Sequence, residues 1–149
     1  MALQEKYIVL CDEVRQELNG KYILLGVYTP DMAVGQLPIV VPALTFFVVM
    51  MDDRPDQHQF RLSLQHLETG QVIAQGMGGF QTHRPGMVAI PIRVGPIQFA
   101  GAGAYTFSLR IDDAREPITH SFNILLNITP QQQTAPGGGM LGGPRLGAD

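Results

Sequence analysis

Residues 7–28, YIVLCDEVRQELNGKYILLGVY, place two β-rich apolar runs on either side of a charged segment closed by Asn19-Gly20. Asn-Gly between such runs signals a β-hairpin, because both residues tolerate the positive φ that a tight primed turn requires. Strand one is expected from Lys6 to beyond Cys11, continuing as a ribbon through Asp12 and Leu18 to the turn, and strand two at Tyr22–Tyr28. A single helical turn competes for the charged segment, since Val14 and Leu18 are four apart and Asp12 can cap it. Gly26 inside strand two points to a bulge or a close backbone approach.

The rest of the chain carries the same signature. The apolar run 43–51, ALTFFVVMM, reads as a central strand buried on both faces, ended by Asp52-Asp53-Arg54-Pro55-Asp56. Residues 58–67 alternate, with Phe60, Leu62 and Leu64 on one face and Gln59, Arg61, Ser63 and Gln65 on the other. A short returning strand is expected over 71–75, broken by Gly76-Met77-Gly78-Gly79; residues 87–94 follow as a strand that Pro91 assigns to an edge or bulge. A glycine-rich turn then feeds a strand with Tyr105, Phe107, Leu109 and Ile111 inward, where the Tyr105 hydroxyl can form a corner with nearby backbone. The last strand sets Ile118, His120, Phe122, Ile124, Leu126 and Ile128 on one face. Between strands two and three, residues 29–42 hold three prolines and read as a long surface connection.

At 149 residues and 16.3 kDa the chain is large enough for one core without disulfide or metal. The expectation is a single antiparallel, immunoglobulin-like β-sandwich over 1–130. A Gly/Pro/Gln-rich tail over 131–149 has too little apolar surface to offset its ordering entropy. The tail is read as disordered, with a docking peptide built on Met140, Leu141 and Leu146 as the sharper alternative. A net charge of −3 and a pI near 5.7 give no general attraction to phosphate backbones, so nucleic acid is not an expected partner. The single Cys11 excludes an intramolecular disulfide, fits a reducing compartment, and reads as a buried apolar residue rather than a nucleophile. No leader-like segment and no membrane-length apolar run is present, so a cytoplasmic location is expected, or a virion if the protein is phage-derived.

Candidate chemistry is sparse. His58, His66, His83 and His120 have no metal-ligand spacing, and an extended strand would hold His58 and His66 about 26 Å apart. His120 reads as a core or interface histidine. Asp52, Asp53 and Asp56 share one loop and Asp112-Asp113 end another strand, a weak calcium signal that equally fits ordinary turns. There is no nucleophile elbow, no P-loop and no dinucleotide turn; Gly76–Gly79 and Gly101–Gly103 are read as turns. Asn127-Ile128-Thr129 matches a glycosylation acceptor, against which the expected compartment argues. Arg61 and Arg110, with Arg93 as a third member, can form a polar platform if their strands are neighbours.

The pattern Val9-Leu10-Cys11-Asp12-Glu13-Val14, Asn19-Gly20-Lys21 and Leu24-Leu25-Gly26-Val27-Tyr28 resembles the opening of a family of small uncharacterised bacterial and phage-associated proteins. The resemblance implies an immunoglobulin-like sandwich of unknown function and brings no catalytic residues with it.

No residue is therefore assigned a catalytic, cofactor-binding or metal-binding role. The expected function is a non-catalytic interaction or structural module, with a phage or assembly component as one specific form, that binds a protein partner or a second copy and no membrane. The rival is a small-molecule or carbohydrate-binding domain, or an enzyme, with a loop-built site of Asp31, Asp52, Asp53, His83 and Asp112.

Overall fold

The computed structural model describes residues 3–29 and 31–127. The tail 131–149, with Met140, Leu141 and Leu146, and the terminal alternation at Ile128 lie outside the described residues. Among the described residues every regular element is a strand: β1 Leu3–Gln16, β2 Tyr22–Tyr28, β3 Asp31–Val34, β4 Ile39–Val41, β5 Leu44–Asp52, β6 Gln57–His66, β7 Val72–Gln81, β8 Gly86–Val94, β9 Ile97–Phe99, β10 Gly103–Ile111 and β11 Ile118–Leu126.

These strands form a four-stranded sheet in the order β2-β1-β5-β8, a five-stranded sheet in the order β3-β11-β10-β6-β7, and the small pair β4-β9. The two large sheets face one another. Phe46 of β5 stacks on Phe107 of β10, ring centroids 3.9 Å apart, and Phe99, Tyr105 and Phe122 pack beside them. Period-two alternation explains the inner faces: Phe46, Val48 and Met50 from one sheet meet Leu64, Phe107, Leu109, Phe122 and Ile124 from the other. The Tyr105 hydroxyl donates to the Gly101 carbonyl at 2.6 Å, the corner expected from the glycine-Tyr sequence.

Several expectations need correction. The sheets are not wholly antiparallel, because β3 runs parallel to β11 through Asp31↔Asn123 and Val34↔Leu126. The connection 29–42 contains two short strands, β3 and β4, whose partners β11 and β9 are remote in sequence. Strand β7 does not stop at its glycines but runs through them. A Cβ on Gly78 would lie 2.7 Å from the Phe60 ring and one on Gly79 would lie 2.9 Å from the His58 carbonyl, so these glycines let the strand pass close to β6. At the hairpin tip Gly20 alone has positive φ, 86°, and its amide bonds to the Glu17 carbonyl. The tip is thus a type I turn closed by a left-handed glycine rather than a primed two-residue turn.

The charged ribbon is a strand, as expected, but it does not project straight outwards. Val9 pairs with Phe47 of β5, and Gln16, seven residues on, pairs with Tyr22 of β2. A straight strand would hold those positions about 23 Å apart. Yet the Tyr22 and Phe47 rings meet edge-on at 5.1 Å. The β1–β2 arm therefore bends back over the outer face of its own sheet, where Phe47 and Val49 are 7% and 4% exposed although they lie outside the central core.

The β1–β2 ladder omits one pair between Cys11↔Val27 and Glu13↔Leu25. Gly26 there has φ 68°, and the space a Cβ would need is filled by the Asp12 carboxylate. That carboxylate accepts the Tyr28 hydroxyl at 2.6 Å; burial, followed by this bond, pushes the Tyr28 phenol up to about 12. Cys11, at the base of the arm, is fully buried, and burial chiefly raises its thiol.

Candidate functional site: a buried carboxylate–imidazole cluster

One end of the two-sheet stack carries a polar cluster inside an otherwise apolar interior. Asp52 is the last residue of β5 and fully buried; His58, near the start of β6, is 3% exposed; Thr82 follows β7; Asp112 follows β10. The His58 Nε2 faces Asp52 Oδ2 at 3.1 Å and its Nδ1 faces Asp112 Oδ2 at 2.7 Å. A ring held between two carboxylates donates from both nitrogens, so the arrangement favours the imidazolium.

The remaining valences are filled locally. Thr82 donates its hydroxyl to Asp52 Oδ2 at 2.6 Å and accepts the Asp56 amide at 3.0 Å. The Arg54 amide donates to Asp52 Oδ1, and the Gln59 amide donates to Asp112 Oδ1, both at 2.9 Å. Asp112 holds φ 54°, the one positive φ among the described non-glycine residues, and its amide donates to the Gln59 carbonyl. This left-handed residue turns the carboxylate back toward β6.

The electrostatics follow from that wiring. Burial works against the charge of Asp52, but the bonds from Thr82, the Arg54 amide and His58 outweigh it and hold the carboxyl below its ordinary value. Asp112 is lowered likewise, burial being overcome by His58 and the Gln59 amide. Burial would neutralise His58, but the two carboxylates prevail and raise it. The cluster ties β5 of one sheet to β6, β7 and β10 of the other.

Of the residues in the loop-built site, the structure gathers Asp52 and Asp112 around His58. His83 is exposed beside Thr82, and Asp53 is exposed beside Asp52. Asp31 does not join them: it bonds the Asn123 amide at 3.0 Å, in register with the beginning of β10 rather than its end. Among the described residues no group of three or more His, Cys, Asp or Glu side chains is placed so that it could hold a metal ion. His58 and Thr82 are the members that the sequence reading missed. Their signal was present in part, since His58 has the same parity as Phe60, Leu62 and Leu64.

The other notable side chains separate. His66 lies at the opposite end of β6, bonded to Thr69 and the Ala102 carbonyl. His120 is half-buried, and burial lowers its pKa. Arg61 and Arg110 are register partners on neighbouring strands, as the platform requires, although the Arg110 guanidinium is engaged with the Ala114 and Arg115 carbonyls. Arg93 belongs to the other sheet and is not part of that surface.

These features define an all-β chain of two facing sheets with a self-satisfied polar cluster between them. A family model described as a family of unknown function, DUF6941, matches residues 6–127, and the chain belongs to that family. No curated protein matches the chain. Among solved structures, the Pseudomonas fluorescens alkylpurine DNA glycosylase AlkC bound to abasic-site DNA is similar over 83% of this chain and 30% of its own, with 7% identity and a TM-score of 0.51. A Listeria innocua β-glucosidase in complex with isofagomine is similar over 83% of this chain and 17% of its own, with 6% identity and a TM-score of 0.44. This chain thus spans less than a third of either protein, and the first likeness concerns the fold alone. No helix among the described residues is long and apolar enough to cross a membrane.

Proposed function

We propose that the protein is a non-catalytic interaction module on an immunoglobulin-like β-sandwich, and that β2 of the folded-back arm pairs with β2 of a second copy. The observation that carries this reading is the character of that edge. β2, YILLGVY, ends its sheet with no charge and no proline, and exposes Ile23, Leu25 and Val27. Sheet edges are normally blunted by charge, proline or short length. Two of the other edges of the large sheets are: β8 carries Pro91 and Arg93, and β3 has four residues led by Asp31; β7 is long and uncharged, but Gly76, Gly78 and Gly79 leave it few side chains to pack against a partner strand. Antiparallel pairing of one strand with its own copy is isologous and closes as a two-fold dimer.

The buried cluster supports the non-catalytic half of the reading. Asp52, His58, Thr82 and Asp112 spend their hydrogen bonds on one another and on backbone, leaving no nucleophile against the imidazole. The Tyr105 corner supports the immunoglobulin-like description.

Light scattering coupled to size exclusion tests the pairing. The wild-type chain is expected at a dimeric mass, and the exposed-site substitutions Leu25→Lys and Val27→Lys are expected to return it to a monomer with an unchanged circular dichroism spectrum. A wild type that stays monomeric at millimolar concentration, or variants that remain dimeric, would overturn the reading.

A further inference from the structure

At the cluster end of the molecule a groove of about 380 Å³ opens between the start of β1 and the tip joining β10 to β11. Its floor is Leu3, Leu109 and Ile111, each under a tenth exposed, and its polar rim includes the carboxylates of Glu5, Asp112 and Glu116. Among the described residues no lysine, arginine or histidine lines it. The volume falls in the range of small-molecule sites, which are mostly apolar with a few placed polar groups.

The rim charges differ in how far they are committed. Asp112 turns Oδ2 to His58 and Oδ1 to the Gln59 amide. The Glu5 and Glu116 side chains make no hydrogen bond or ion pair among the described residues. An anionic ligand would meet three carboxylates and no cation. A neutral apolar ligand would leave the rim unused. An apolar body ending in a positive charge satisfies both parts of the groove, its hydrocarbon against Leu109 and Ile111 and its charge between Glu5 and Glu116.

We propose that this groove binds a small amphiphilic cation, an aliphatic chain ending in an ammonium or guanidinium group. This site lies apart from the β2 edge, so the two readings stand or fall separately. Because Asp112 borders the groove and also holds His58, occupancy is coupled to the buried cluster through a single side chain.

Hexylammonium and hexanoate provide the matched probes, titrated into the full, isotope-labelled chain by NMR. Hexylammonium is expected to give saturable shifts confined to Leu109, Ile111, Glu116 and the His58 ring, while hexanoate gives none. The Glu5→Gln/Glu116→Gln variant is expected to keep its melting temperature and to bind hexylammonium about fivefold more weakly, the scale of an exposed charge pair. Equal binding of both probes would overturn the proposal. So would an unweakened double variant, shifts scattered over the surface, or no saturable shift with hexylammonium.

Discussion

Tyr22 rests edge-on against Phe47 at 5.1 Å, joining two residues whose strands would hold them far apart if β1 ran straight. The contact converts a charged, turn-containing ribbon into a cover for the outer face of the four-stranded sheet. It also decides which side of the arm meets solvent.

Tyr22→Ala is expected to lower stability by about 1–2 kcal/mol, the value of an aromatic pair plus part of its buried area. The more specific effect falls on Cys11, fully buried at the arm's base with its thiol raised by burial. Reaction with an aromatic disulfide under native conditions should be slow in the wild type. It should accelerate in Tyr22→Ala by more than the loss of global stability in urea explains; equal changes would mean that Cys11 is exposed only by complete unfolding.

Gly26 and Gly20 both have positive φ, but only Gly26 has a neighbour in the space a Cβ needs. Gly20→Ala is expected to cost about 1 kcal/mol, the left-handed penalty alone. Gly26→Ala should cost more, because the new methyl meets the Asp12 carboxylate, and Asp12→Ala should return part of the excess. Additive costs in a double-mutant cycle would contradict the close approach.

Stability should peak in mildly acidic solution. His58 is raised, so its contribution is complete below its ordinary value of 6.5 and is lost as pH climbs through the higher folded value. Asp52 and Asp112 are lowered, so their contributions are complete above 3.8 and are lost as pH falls through their folded values. Urea denaturation across pH should show a maximum between these two limits. His58→Gln should flatten the alkaline limb.

Removing two members of the cluster together should cost less than their separate removals suggest. Asp52→Ala leaves the His58 charge without its buried partner and the Thr82 hydroxyl with only its longer bond to the Asp56 carbonyl, at 3.3 Å, a loss of about 3–5 kcal/mol. The Asp52→Ala/His58→Leu pair should cost less than the sum of the single changes, measured by chemical denaturation.

β6 and β10 were legible because their period-two patterns coincide with burial, and β5 because its continuous apolar run is buried on both faces. β7 was not legible beyond Gln75, because Gly78 reads as a breaker until the Phe60 ring that fills its missing Cβ is seen. The cluster was half-legible. Asp52 and Asp112 were drawn from the sequence as carboxylates at strand ends, but their link through His58 depends on the two sheets meeting, and Asp112 is 54 residues from the ring it binds. The backward bend had one local sign, Gly26, whose positive φ is compatible with many turns.

The central claim is that β2 meets β2. An isotope-filtered NMR experiment on a mixture of labelled and unlabelled chains reads this contact directly. Intermolecular contacts are expected between the backbone protons of Leu25 and its neighbours on β2 in the two copies. A dimer whose intermolecular contacts fall on β7, β8 or the Arg61–Arg110 face, with none on β2, would contradict the account.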